Sequence, residues 1–167
     1  MRRTGIFALA IVSAVLLQTT LFARTLFGVA PDLVLVVVIS FALLEGPLAG
    51  ATSGFFGGLL RDLLVTVPKG LTGLSYLLVG YAVGRIRPYV QSMSVFVPIA
   101  AIFLGSLAGT GLYEILQGLL GQQTVSWSTG ARVVVLTALY NTLLAPLVYP
   151  VIRRIVGLYQ NEKVYRW

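Results

Sequence analysis

Long apolar runs dominate the chain, and charged residues fall mainly where those runs stop. Six such segments lie at roughly 5–22, 30–44, 46–60, 70–84, 94–120 and 130–152. A hydrocarbon core about 30 Å thick needs about 20 helical residues. The pattern therefore predicts an all-α integral membrane protein, a compact bundle of six transmembrane helices forming a single transmembrane domain over 1–167. The second and third segments are short. They must borrow flanking residues, thin the bilayer locally or lean on longer helices. Glu45-Gly46-Pro47 leaves room only for a tight turn between them, and Pro47 suits a first helical position, so the pair is expected to form an antiparallel hairpin. Arg2 and Arg3 followed by an apolar run resemble a signal peptide. The uncharged run from Gly5 to Phe22 is nonetheless 18 residues long, and Leu21-Phe22-Ala23 is no small-x-small cleavage site. It is read as a retained first helix.

Composition strengthens this picture. Hydrophobic residues make up 57% of the chain and charged ones only 10%, against about 25% charged in soluble domains. The 18 glycines lie mostly inside apolar runs, a placement common where membrane helices pack closely. The net charge is +7, but the basic residues flank apolar runs, so the expected partner is an anionic lipid surface and not nucleic acid. The chain has no cysteine and no histidine, which excludes a disulfide framework and Cys/His metal sites. No phosphate-binding G-x-x-x-x-G-K-[ST] loop occurs, and no histidine is present to activate a serine. Asp62 and Glu114 are the candidates for carboxylate-based intramembrane catalysis, and nothing in their spacing supports it. The expectation is a protein without enzymatic activity, cofactor or metal.

Orientation follows from the basic residues. With six spans both termini share one side, which would hold Arg2, Arg3, Arg85, Arg87, Arg153, Arg154, Lys163 and Arg166, eight in all. The other side would hold Arg24, Arg61, Lys69 and Arg132, four in all. The positive-inside rule then puts both termini in the cytoplasm. Residues 153–167 are expected to form a basic and aromatic tail along the cytoplasmic lipid surface.

The third segment carries the sharpest local signal. Gly46, Gly50, Gly54 and Gly58 recur at i+4, Asp62 continues the register, and Gly57 lies beside it. Residues at i+4 share a helix face, so the stripe makes a groove that another helix can approach closely. Packing inside the bundle is the favoured reading, docking of a partner's helix the alternative. Ala10 and Ala14, Gly80 and Gly84, and Gly105 and Gly109 repeat the small-residue spacing. Among polar residues, Asp32 opens the second segment, where an acid complements a helix N-terminus. Asp62 closes the third beside Arg61. Glu114 lies inside the fifth, with Arg132 the first partner to name. Glu45 has Arg85 or Arg87 as candidate partners. Asn141 is an expected interhelical hydrogen-bonder, and Pro146 and Pro150 should kink the sixth helix. These polar groups either neutralise one another and fix helix register or line a polar cavity; the first is favoured. Tyr76, Tyr81, Tyr113, Trp127 and Tyr140 show no common face.

Pro31-Asp32-Leu33-Val34-Leu35, Gly46-Pro47, the stretch from Gly54 to Asp62 (Gly54-Phe55-Phe56-Gly57-Gly58-Leu59-Leu60-Arg61-Asp62), Gly70 and Gly80 resemble the rod shape-determining protein MreD family of bacteria. Length, span number and the short second and third spans match as well. The resemblance is strongest from about Pro31 to Gly84; in the fifth and sixth segments only hydropathy agrees. It implies a scaffold of the cell-elongation machinery in the cytoplasmic membrane. The implied partners are the bitopic protein MreC and, through it, MreB, RodA and a class B penicillin-binding protein, with a role in organising peptidoglycan synthesis. The family is also similar to the substrate-binding subunits of energy-coupling-factor transporters, whose docking motif Ala10-x-x-x-Ala14 is similar to. A vitamin-type transporter subunit is therefore the alternative function.

Overall fold

A computed structural model describes residues 2–21, 29–64, 70–90, 96–121 and 126–160. Six helices and no strand occur among them: α1 (Arg2–Leu21), α2 (Leu33–Glu45), α3 (Pro47–Leu64), α4 (Leu71–Val90), α5 (Phe96–Leu119) and α6 (Trp127–Gln160). Arg24, Lys69, Lys163, Arg166 and residues 161–167 lie outside the described residues, as do the side chains of Arg2 and Arg3.

The six helices form a ring of five around one. Helix α2 touches each of the other five, and α1, α3, α4, α5 and α6 each meet a neighbour on either side, most thinly between α6 and α1. The sequence of α2 explains its central place. LVLVVVISFALLE is apolar on every side, so no face prefers solvent. Every residue from Leu33 to Leu43 is buried. Ser40 is no exception to the apolar rule, because its hydroxyl donates back to the Val36 carbonyl at 2.7 Å. The outer helices send side chains inward, including Ile11, Ala14 and Val15 from α1, Tyr76, Val79 and Val83 from α4, and Ile152 and Val156 from α6. They turn large apolar residues outward: Leu9 and Leu16, Leu48 and Phe56, Leu78, Leu104, and Leu143 and Leu147 are all exposed.

Boundaries depart from the hydropathy reading in an informative way. The third helix is not short: it runs 18 residues, carrying Arg61 and Asp62 inside its last turn. Helix α4 extends to Val90 past Pro88. Helix α6 runs from Trp127 through Pro146 and Pro150 to Gln160, so Arg153 and Arg154 are helical, while residues 161–167 of the expected tail lie outside the described residues. Charged residues ended the segments read from hydropathy, whereas backbone hydrogen bonding continues through them. Helices α5 and α6 are long and apolar enough to cross a membrane, while the apolar parts of α1 and α2 are shorter. This composition fits a membrane protein.

The glycine stripe of α3 forms a close antiparallel seam with α4. A Cβ placed on Gly50 would collide with the Gly80 carbonyl, and one on Gly80 with that of Gly50. A Cβ on Gly54 would strike the backbone of Tyr76, one on Gly58 that of Gly73, and one on Gly84 that of Pro47. Overlaps of this kind mean that the two backbones are in contact along the whole stripe. Gly57 looks the other way, toward Val34 and Ile11. On α5, Gly105 and Gly109 receive the side chains of Ile39 and Leu35 from α2. Gly46 ends α2 at φ +98°, a conformation side-chain-bearing residues rarely adopt, and its N–H closes the helix onto the Ala42 carbonyl at 2.9 Å.

Candidate functional site, a polar junction at the head of the central helix

Residues 29–32 are not helical, and Val29, Pro31 and Asp32 are buried. A buried non-helical stretch must find partners for its backbone groups. The junction around Asp32 supplies them. Asp32 caps α2, its Oδ1 accepting from the Leu35 N–H at 3.1 Å, the arrangement expected of an aspartate at this position. Its backbone N–H donates to Asn141 Oδ1 on α6 at 2.7 Å. Asn141 Nδ2 in turn donates to Ser106 Oγ on α5 at 2.9 Å. The second carboxylate oxygen, Oδ2, receives Arg61 Nη1 from α3 at 2.6 Å and the Tyr76 hydroxyl from α4. Arg61 Nη1 also donates to the Tyr76 oxygen, with the guanidinium carbon 5.9 Å from the centre of that ring. Helices α2 to α6 thus meet in one chain of hydrogen bonds.

The glycine seam delivers Tyr76 to this junction. Gly54 lets α3 rest directly on the Tyr76 backbone, and Arg61 lies two turns further along α3. Asp62 continues the same seam in another way. Its Oδ2 accepts the N–H groups of Gly70 at 2.8 Å and Thr72 at 3.1 Å, capping α4. Its Oδ1 is buried with no hydrogen-bond partner among the described residues.

Of the residues singled out from sequence, Asp32, Arg61 and Asn141 come together here, and Asp62 sits one helix end away. Glu114 and Arg132 do not join them and do not pair with each other. Arg132 is exposed. Glu114 lies against Gly130, where an added Cβ would be 3.1 Å from its Oε2, and that buried oxygen has no partner among the described residues. The two residues are 18 positions apart on helices α5 and α6, and proximity in depth did not bring them into contact. Arg87 reaches toward the α2–α3 turn, its Nη1 3.6 Å from a Cβ placed on Gly46. Gly46, Gly50, Gly54, Gly57 and Gly58 face other helices of this chain; Ala14 is buried, and Ala10 is partly so. Tyr76 and Ser106 complete the junction without having been expected there. Tyr76 stands at the i+4 partner position of Gly80 on α4, which was the available signal.

Beside the junction, a cavity of about 180 Å³ is lined by Val15, Gln18, Thr19, Ala30, Val34, Arg61 and Leu64. No group of three or more potential metal ligands occurs among the described residues.

No curated protein matches the chain. The family model of the rod shape-determining protein MreD matches residues 1–159 of the 167. That match reaches into all six helices and stops one residue before the end of α6, so it takes in α5 and α6, for which the sequence offered only hydropathy, and the chain belongs to the MreD family.

Proposed function

We propose that the chain crosses the bacterial cytoplasmic membrane six times as a single domain, with both termini inside, and acts there as a scaffold of the rod-shape machinery. In this reading it binds MreC and, in a larger complex, MreB, RodA and a class B penicillin-binding protein, and so helps organise peptidoglycan synthesis. Family membership carries the role in rod-shape determination. The arrangement of surface and core supports placement in a membrane. Large apolar side chains face outward on every helix of the ring, and a soluble protein rarely exposes contiguous apolar patches beyond a few hundred Å². Asp32, Tyr76, Ser106 and Asn141 of the junction are buried instead. Helix α2, at 13 residues, is about 20 Å long by its rise, too short for a lipid-facing span. It is tolerable at the centre, where the ring and the junction satisfy its ends. A core filled by side chains leaves the outer helix faces and the loops as recognition surfaces. The glycine stripe is occupied within the chain, so a partner helix would dock elsewhere.

The test is depletion in the native host combined with co-purification. Loss of rod shape together with loss of MreC association is the expected outcome. Normal shape, with saturable vitamin binding by the purified protein, would overturn the scaffold in favour of the transporter subunit, an alternative that no described feature favours.

A further inference from the structure

We propose that the cavity between α1, α2 and α3 binds the phosphate of a membrane phospholipid, with Arg61 as its cation. Two independent observations support it. The first is the shape and lining of the space. Val15, Ala30, Val34 and Leu64 give it apolar walls, and Gln18, Thr19 and Arg61 give it polar ones. An amphipathic lining beside an apolar outer surface suits a lipid headgroup with the start of its acyl chains, and about 180 Å³ is room for the headgroup end only. The second is the unused capacity of Arg61. Its contacts to Asp32 and Tyr76 both use Nη1, and among the described residues Nε and Nη2 have no hydrogen-bond partner. The side chain is 33% exposed, whereas that of Asp32 is 2% exposed. The carboxylate is sealed behind the guanidinium while the cation reaches the cavity.

A guanidinium presents its donors as a planar fork matched to two oxygens of a phosphate. Asp32 and Tyr76 hold the Nη1 corner, which fixes the plane of the fork before any ligand arrives. The first turn of α2 borders the same space through Val34, whose N–H lies 3.4 Å from Gln18 Oε1, so a helix N-terminus adds to the favourable field. The assignment to a phospholipid rests on the six-span reading, which puts this end of the bundle at the outer headgroup layer.

The full chain, purified in mild detergent and titrated with phosphatidylglycerol, is read by native mass spectrometry. One retained lipid is expected. Thr19→Phe fills the cavity from an exposed position and leaves the Asp32–Arg61–Tyr76 contacts intact. It should weaken retention roughly tenfold or more, the size of one lost charge-assisted hydrogen bond, at an unchanged melting temperature. Arg61→Gln should do the same even if it also lowers that temperature. Wild-type retention in Thr19→Phe overturns the site. Competition by millimolar inorganic phosphate at equal strength overturns the lipid assignment in favour of a free anion. Cysteines placed at Gln122 and Gln160, in a chain with none of its own, should label from opposite sides of sealed vesicles. Labelling from one side, with lipid loss in Thr19→Phe preserved, removes the six-span reading and leaves the pocket.

Discussion

The backbone N–H of Asp32 donates to the side-chain oxygen of Asn141 at 2.7 Å, joining residues 109 positions apart. The bond ties the start of the buried central helix to the middle of α6, and Asn141 passes it on to Ser106 of α5. Asn141 is fully buried. Replacing it with leucine would fill a similar volume while leaving the Asp32 N–H without an acceptor. Asn141→Leu is expected to cost about 1–3 kcal/mol, the penalty of an unsatisfied buried donor. Denaturation of the purified protein in mixed micelles measures this, and an unchanged midpoint would show that the bond contributes nothing net.

The glycines divide into classes that a single substitution separates. At Gly54 an added methyl meets the Tyr76 backbone, which cannot step aside without moving α4. Gly54→Ala should cost about 1–3 kcal/mol by overpacking, and Gly54→Leu should prevent folding. At Gly57 the nearest atoms are side-chain methyls, Val34 Cγ1 at 3.0 Å and Ile11 Cγ2 at 3.4 Å, so Gly57→Ala should be milder. At Gly5 nothing lies within 4 Å, and Gly5→Ala should be neutral or stabilising by about 0.4–1 kcal/mol. Equal effects at all three positions would remove the seam as the reason for the stripe.

Much of this architecture could be read from the chain. Six apolar runs became six helices because a helix satisfies the polar backbone groups within each run. The tight turn at Gly46-Pro47 and the i+4 glycines followed from local geometry that no distant contact alters. Asp32 as a helix opener needed only its place after Pro31. The missing part depends on which helices are neighbours. Nothing in hydropathy says that α2 is central, although its uniform apolarity is consistent with that place. Without the neighbours, Tyr76 and Ser106 could not be assigned to Asp32 and Asn141. Glu114 and Arg132 illustrate the converse, since similar depth in a bundle suggested a pair that the helix faces do not make. Helices α3, α4 and α6 run on past Arg61, Arg85 and Arg153, because a charged side chain ends an apolar run without ending backbone hydrogen bonding.

Glu114 should tolerate neutralisation. Its buried Oε2 lacks a partner among the described residues, so Glu114→Gln removes a desolvated charge without breaking a bond. Stability is expected to hold or rise. Arg132, exposed on α6, should accept glutamate within about 0.5 kcal/mol, as surface changes usually do. The swap of both charges should then show no coupling beyond about 0.3–0.5 kcal/mol. Rescue of a damaged Glu114→Arg chain by Arg132→Glu would establish the pair after all.

The ion pair of Asp32 and Arg61 makes the most asymmetric prediction. The two ends differ in surroundings: the carboxylate is 2% exposed and the guanidinium side chain 33%. Removing the cation strands a buried charge, for which the usual cost is about 3–5 kcal/mol. Arg61→Leu should therefore be severe. Asp32→Asn leaves a charge that water partly reaches, and the new side-chain oxygen can still accept from the Leu35 N–H, so it should cost less. Tyr76→Phe removes one donor from an oxygen that Arg61 continues to serve, and should cost about 0.5–1.5 kcal/mol, as for one ordinary hydrogen bond. The double variant Asp32→Asn with Arg61→Leu should be more stable than Arg61→Leu alone, because it no longer buries an unpaired carboxylate. Unfolding midpoints for the four variants, measured in the same detergent, decide the matter. If Asp32→Asn proved the more damaging single change, or the double variant lost the sum of both, a stranded carboxylate would not be what Arg61 relieves, and the charge pair would be set aside as the basis of the junction.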